Sequence, residues 1–553
     1  MKKSIQKIDC AVLGGGFAGC SAALELAEAG KKVDLFVKGD FKEECNSWLC
    51  AGGFAAVTLK DGKPVSGDSF ELHIKDTLKA GSSLNNRKVV KYCVEHFYPD
   101  VIEWLISKGV KFDKRGAGYD LSKEGGHSAS RVFHNSDTTG VNIMTALIEK
   151  VKKHPKIKVH THHTTIDLIT KNRIEGKKGR DAICGFYIYD NVNARVKTFA
   201  CKGVFVATGG LGKVFMYTSN PDIATGDGFA ICYRAGLKLV NMEFVQFHPT
   251  VFYDPSAANE SGRRFLLTEA LRGAGAILKL RKDSKEDFVL KYDPLGSKST
   301  RDVVTKAEDV EMRKNGLECV WLDCTKIPRH KLQMHFRNSY KFCLSKGIDM
   351  SKEPVPVVYA EHYSNGGVMT GKNGETEIKG VYVIGETAYT GLHGATRLAS
   401  NSGPECILFG RLAAKHYAAR ANGYANLKIP LWDDGKAERV KDKTAIGYYW
   451  ETVRRTMTLL CGISRNWERL SAAKEVMETL NKNIRRFYWN YYATKEFLEV
   501  RNIATVSLAI IQSALARNES RACHFREDFP KENKEFQGLT VLQKKNVATI
   551  KKS

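Results

Sequence analysis

Residues Gly14, Gly15, Gly16, Phe17, Ala18 and Gly19 have the Gly-x-Gly-x-x-Gly spacing that lets a backbone approach a pyrophosphate. Glycines keep side chains away from the phosphates. A helix starting there adds amide donors and partial positive charge. The flanking residues supply that setting. Residues 8–13 read as a buried strand, 20–29 as an Ala- and Leu-rich helix, and 33–37 as a second strand. The usual fingerprint closes the second strand with an acid for the adenine ribose. Here Val37-Lys38 stands there and the nearest acid is Asp40, which weakens an NAD reading and leaves room for FAD with a different ribose contact.

Other chemistry-bearing clusters read as structural. His160, His162 and His163 have no acid or Cys following nearby, so a structural role is expected rather than a metal site. The 14 cysteines include no CxxC pair, which argues against a zinc ribbon or iron–sulfur cluster held within the chain. The run from Arg485 to Tyr492 interleaves bases and aromatics as single-strand binders do, but it lies in a helical stretch and reads as a packed amphipathic face.

The elements that would position the chemistry extend along the whole chain. Strands at 204–207 and 381–384 end in Thr208-Gly209-Gly210 and Gly385-Glu386, which brings backbone close to something large and flat or to phosphate. Ala51-Gly52-Gly53 is a further glycine turn. Residues 236–355 read as an inserted domain facing a cofactor, and 445–517 as consecutive amphipathic helices. Lys544, Lys545, Lys551 and Lys552 read as a loosely ordered basic tail. The expected fold is α/β: a Rossmann-like domain over 1–235 and 356–420, an inserted α+β cap over 236–355, and a helical C-terminal domain over 421–553. With 43% hydrophobic and 27% charged residues the chain is globular, not disordered. No apolar run approaches the ~20 residues of a membrane span. Lys2 and Lys3 precede an apolar run, but Asp9 and the glycines make it a folded strand rather than a signal segment. The net charge of +25 suggests anionic partners without choosing among nucleic acid, acidic membrane and small anions.

Several motifs together resemble the flavoprotein family of succinate dehydrogenases, fumarate reductases and L-aspartate oxidases. They are Asp68-Ser69 with His73, Asp76 and Thr77; Gln246 to Thr250; Thr300-Arg301-Asp302; His362-Tyr363 with Gly366-Gly367; and the run Gly391 to Ser402. Within the family, Glu124-Gly125-Gly126-His127-Ser128 with Arg131 and His134, and Ala514 to Arg521 with His524, are similar to the oxidase branch. Glu124 and the lack of a His between Asn46 and Ala51 set the chain apart from the covalently flavinylated dehydrogenase and reductase subunits, the alternative reading, which would need an iron–sulfur partner. Ala51, Thr396 and Gly403-Pro404 depart from the family pattern.

The resemblance implies non-covalent FAD held at Gly14, Gly15, Gly16, Phe17, Ala18, Gly19, Lys38, Asn46, Ser47, Gly52, Gly53, Asp227, Glu386, Asn401, Ser402 and Gly403. It implies oxidation of L-aspartate to iminoaspartate by hydride transfer from Cα to flavin N5, with oxygen or fumarate as oxidant, as the first step of quinolinate and NAD synthesis. Arg301, Arg397, His248 and His362 would bind the substrate carboxylates, and Thr268 and Glu269 would complete the wall. Arg301 would be the acid/base, and Glu124 would recognise the amino group. Quinolinate synthase is the implied next enzyme. A cytoplasmic protein with neither nucleic-acid nor membrane partner is expected, and the oligomeric state stays open.

Overall fold

A computed structural model describes residues 4–254, 264–420, 428–440, 442–544 and 548–552. A five-stranded parallel sheet carries the glycine motif. Its strands are β1 (Cys10–Leu13), β2 (Val33–Phe36), β3 (Ile157–His160), β4 (Gly203–Val206) and β5 (Val381–Val383), in the spatial order β3-β2-β1-β4-β5. All four residues of β1, β4 and most of β5 are apolar and buried, as both faces of a covered parallel sheet require. Helix α1 (Phe17–Glu28) begins inside the motif, three residues earlier than the sequence alone suggests. Its first turn is fully buried, so polar-face periodicity does not mark its start.

The insert has its own antiparallel sheet. Val245–Phe252 pairs with Val355–Ser364, which pairs with Val320–Asp323, which pairs with Ile277–Lys279. This sheet runs on to Ser364, so a division at 355 falls at the first residue of one of its strands. Leu239–Val240 lies outside it and pairs instead with Gly367–Met369. Helix α2 (Arg301–Asn315) packs on Val245–Phe252 and starts at the cavity described below. Helix α3 (Ser402–Arg420) returns the chain to the parallel sheet and packs along α1.

Helices α4 (Thr444–Leu460), α5 (Trp467–Asn490) and α6 (Lys495–Ala516) follow, and all three pack on one another. In the base-and-aromatic stretch, Phe487 and Tyr488 of α5 lie against Phe497 of α6, and Arg501 stacks on Tyr488 at 4.1 Å.

The expected loose tail is corrected. Strands β6 (Gly538–Leu542) and β7 (Thr549–Lys552) form an antiparallel hairpin, and β6 also pairs with Leu239–Val240. Val541 and Leu542 are buried, and main-chain pairing outweighs the local lysine composition. Lys544 donates to the carbonyl of Arg234, Lys551 and Lys552 lie in β7, and Lys545 lies outside the described residues. Arg517, fully buried, ties this region together: it pairs with Glu243 and Glu519 and donates to the carbonyl of Gly538 and to Thr540 Oγ1. Among the described residues no helix is long and apolar enough to cross a membrane.

Candidate active site

One cavity of about 420 Å³ runs from the glycine motif to the insert. Its first half is made of backbone. Gly14 has φ +116°, and a Cβ there would lie 2.0 Å from the carbonyl oxygen of Ala207. Only glycine lets β1 and β4 close on each other at this point. The first amide of α1, that of Phe17, donates to Ser47 Oγ at 2.9 Å, and Asn46 Nδ2 donates to Asn220 Oδ1 at 2.8 Å. Glu386 follows β5, is buried, and accepts from the Ser364 amide at 3.0 Å. Burial pushes its carboxyl up to about 7, so at neutral pH it can accept from or donate to a ligand hydroxyl.

Three expected cofactor contacts have their side chains engaged inside the protein. Lys38 Nζ lies 2.9 Å from Asp227 Oδ2 and 2.8 Å from Glu499 Oε1, and donates to Thr225 Oγ1 at 2.6 Å. Asp227 also accepts from Thr225 and from Asn502 Nδ2. Lys38 and Asp227 therefore neutralise each other in the cavity wall. Asn401 accepts from His73 Nε2 at 2.9 Å and donates to Thr77 Oγ1 at 3.0 Å. Burial drives the His73 imidazole down to about 3, so it is neutral and this contact fixes its Nε2 tautomer as the donor. Ser402 and Gly403 begin α3. A Cβ on Gly403 would meet the Phe54 ring at 2.6 Å, which accounts for the missing bulk at this departure. Thr396, another departure, contacts Cys523 Sγ at 2.5 Å and Gln246 Nε2 at 3.2 Å.

The second half of the cavity is walled by charge. His248 and His362 sit with ring centroids 5.4 Å apart. The Thr250 amide donates to His248 Nδ1 at 3.2 Å, which leaves the proton on Nε2. His362 Nδ1 contacts Ser219 Oγ at 2.8 Å. Burial, together with the charges of Arg301 and Arg397, holds both imidazoles well below their usual range, so both are neutral. Arg397 is buried over the Tyr363 ring at 4.6 Å; it donates to Ser402 Oγ at 2.6 Å, and its Nε has no protein partner among the described residues. Arg301, first residue of α2, donates from Nε to Glu269 Oε2 at 2.5 Å, and its buried Nη1 has no partner among the described residues. Glu269 in turn lies 3.4 Å from Arg272 Nη2. Burial alone would raise the Glu269 carboxyl, but Arg301 and Arg272 outweigh it and hold it ionised. Thr268 lines the same wall.

Glu124 faces this group from another segment. Its Oε2 accepts from Ser400 Oγ at 2.6 Å, and its Oε1 lies 3.3 Å from where a Cβ on Gly52 would be. The loop that carries it is anchored: His127 Nε2 contacts the Ala399 carbonyl at 2.9 Å, and buried Arg131 pairs with Asp68 and Asp76 at 2.7 and 2.6 Å. All seven expected catalytic residues thus line one cavity. Arg272, Ser400 and Ser219 were not anticipated. Arg272 stands three residues after Glu269 across one turn, a spacing that could have marked it. Ser219 and Ser400 carry no local signal.

Two orphaned guanidinium edges and two neutral imidazoles around one space form a receptor for a small dianion, next to a backbone cradle for a dinucleotide. Residues 9–402 match the family described as FAD binding domain, and residues 450–552 match the one described as fumarate reductase flavoprotein C-term. The chain is 41% identical over 526 residues to L-aspartate oxidase 1 of Ralstonia nicotianae, covering 94% of this chain and 95% of that one. It is 40% identical over 537 residues to L-aspartate oxidase of Yersinia pestis, covering 96% and 98%. A variant of the FrdA chain of E. coli quinol fumarate reductase superposes with a TM-score of 0.85 at 27% identity, covering 100% and 98%. The chain belongs to the L-aspartate oxidase branch of the succinate dehydrogenase and fumarate reductase flavoprotein family.

The cavity of this flavoprotein fits FAD. Gly14, Gly15 and Gly16, the α1 N-terminus and the buried Glu386 line the same cavity and supply close backbone, donors and an acceptor. No His lies between Asn46 and Ala51 to form a covalent link.

Proposed function

We propose that the protein uses non-covalent FAD to oxidise L-aspartate to iminoaspartate, the first step toward quinolinate and NAD. The convergence of Arg301, Arg397, His248 and His362 on one space, with Glu124 across from them, carries this reading. FAD, held by the glycine motif and Glu386, would supply the acceptor for the two electrons that leave Cα, with oxygen or fumarate as the final oxidant. Arg301 and Arg397 hold the two carboxylates, and the Nε2–H of His248 adds a neutral donor. Arginine suits this role because its charge persists while its planar edge fixes the carboxylate. Glu124 accepts the ammonium proton, which leaves the nitrogen lone pair that the C=N bond needs. In the fumarate direction Arg301 gives a proton to the carbon beside the hydride-accepting one. Glu269, an ionised carboxylate at 2.5 Å, can take up a proton from water and pass it to the Arg301 that has lost one, and Arg272 stands behind Glu269.

The remaining expected contacts to FAD, at Gly15, Gly16, Ala18, Gly19 and Gly53, belong to this proposal. So do a cytoplasmic setting, where the 14 free cysteines stay reduced, and direct use of the product by quinolinate synthase. Titrating the purified yellow protein with L-aspartate under nitrogen tests the reading. Bleaching of the flavin band is expected, with no bleaching by succinate at the same concentration. Flavin that bleaches with succinate but not aspartate would overturn it. Acid precipitation should leave the flavin in the supernatant.

A further inference from the structure

His362 lies in the strand Val355–Ser364, and a short segment, Thr218-Ser219-Asn220, runs beside it. Thr218 and Glu361 form a parallel bridge, and the Ser219 amide donates to the Glu361 carbonyl at 2.9 Å. Asn220 is buried; its Nδ2 donates to the His362 carbonyl at 3.1 Å, and its Oδ1 accepts from Asn46. Its amide donates to Thr218 Oγ1 at 3.0 Å. Ser219 is thus held on both sides by buried, hydrogen-bonded neighbours, and its hydroxyl meets the imidazole from a fixed backbone.

That hydroxyl has one proton and two acceptors within reach. His362 Nδ1 lies at 2.8 Å and the Glu361 carbonyl at 3.3 Å. The carbonyl already takes the Ser219 amide, and Thr218 Oγ1 lies 3.1 Å from it. The shorter contact, to a nitrogen with no other donor among the described residues, therefore takes the proton. A neutral imidazole that accepts at Nδ1 carries its own proton on Nε2. Burial, with the charges of Arg301 and Arg397, keeps this ring neutral. The ring lines the cavity, and Nε2 is the nitrogen left to meet a ligand.

We propose that Ser219 is a positioning residue: it sets the tautomer of His362 so that this ring, like His248, offers an N–H to a substrate carboxylate. The two rings reach the same state by different routes. His248 accepts from the Thr250 amide, which can only donate, so the main chain fixes its tautomer. A hydroxyl can donate or accept, so the tautomer of His362 depends on one side chain and on the carbonyl that competes for its proton. With the ring proton moved to Nδ1, a bare Nε2 lone pair would face a carboxylate, and one acceptor would meet another. Ser219 acts through His362.

This inference rests on the proposed function for the identity of the ligand, and the test separates the two. Fumarate does not react with oxidised flavin and serves as the binding probe. FAD-loaded wild type, Ser219→Ala and Ser219→Thr are titrated with it, and the flavin spectrum gives the dissociation constant. Ser219→Ala should bind fumarate about tenfold more weakly and raise KM for L-aspartate by a similar factor, with kcat changed by less than about threefold. Ser219→Thr keeps the hydroxyl and should recover most of the affinity. In a His362→Gln background Ser219→Ala should have no further effect, because its route to the ligand is gone. Histidine 15N spectra read the tautomer directly, with the His362 signals identified by their absence from His362→Gln. Wild type should show Nε2 protonated and Nδ1 bare, and Ser219→Ala should move toward the other tautomer. A wild-type His362 protonated on Nδ1 would overturn the inference. So would Ser219→Ala binding as tightly as wild type, or losing as much affinity in the His362→Gln background as in the wild type. Wild type that neither binds fumarate nor is bleached by aspartate would remove the proposed function, while its histidine spectrum would still decide the tautomer.

Discussion

The cofactor end of the cavity is walled by backbone, and the substrate end by buried charge. At Gly14 the constraint is a distance: 2.0 Å from a would-be Cβ to a carbonyl oxygen. At Arg301 and Arg397 it is an imbalance: guanidinium edges buried without protein partners. The first end is written in six consecutive residues. The second gathers Glu124, His248, Glu269, Arg301, His362 and Arg397 from six separate segments. The two ends should therefore fail differently. Steric damage should remove the cofactor and with it all activity, whereas charge damage should spare the cofactor and discriminate among substrates.

Gly14→Ala should show the largest effect. The new methyl meets backbone that cannot yield, at a φ of +116°, so a loss of about 5 kcal/mol or more is expected. Purified variant should lack flavin; normal flavin content and melting temperature would break the comparison at its first term. Next come Arg397→Leu and Arg301→Leu. Each strands a substrate carboxylate, at about 4 kcal/mol or ~10³-fold in kcat/KM for both aspartate and fumarate. Flavin content should stay normal, and near-wild-type efficiency in either variant takes that residue out of the clamp.

Glu124→Gln sharpens the contrast within the charged end. A charge-assisted bond to the substrate nitrogen contributes up to about 3 kcal/mol, and fumarate has no nitrogen. Aspartate oxidation should fall by that amount while fumarate reduction by reduced flavin stays within about tenfold. Parallel loss of both would make Glu124 structural. The smallest effect is one of pH. His73 is neutral when folded, with its pKa near 3, and takes up a proton on unfolding near its ordinary 6.5. Between those values the unfolded chain binds the extra proton, so stability is full above pH 6.5 and is lost as pH falls. From pH 6.5 to 5 the loss is roughly 2 kcal/mol. Denaturant titrations should show it, and His73→Gln should flatten the slope; an unchanged slope would assign the acid sensitivity to other groups.

The local parts of this molecule were legible in the sequence. The strand-turn-helix at 10–28 and the three long helices after 444 follow from hydrophobic runs and glycine spacing. The resemblance, not periodicity, brought His248, His362 and Arg397 to one site. What stayed hidden depends on distant partners. Lys38 and Asp227 line the cavity, and Glu499, from a helix far along the chain, pairs with Lys38 there without any local signal. Ser400 could not be foreseen as the donor to Glu124, because 276 residues separate them. The lysines of 544–552 misled because composition reports solvation of side chains, whereas β6 is held by its main chain and by Val541 and Leu542.

That hairpin bears on how the molecule is made. Leu239–Val240 stands between Gly367–Met369 and β6 in its sheet, so both its neighbours are synthesised after it. A ribosome must travel about three hundred residues beyond this strand before its second edge is covered, at ~5–20 residues per second an interval of tens of seconds. During that interval a growing chain displays an open strand edge, the kind of surface chaperones shield and neighbouring chains can zip onto. The sheet is completed only once residues 538–552 have been synthesised, and expression yield should respond to changes in 538–542 more strongly than their distance from the cavity would suggest.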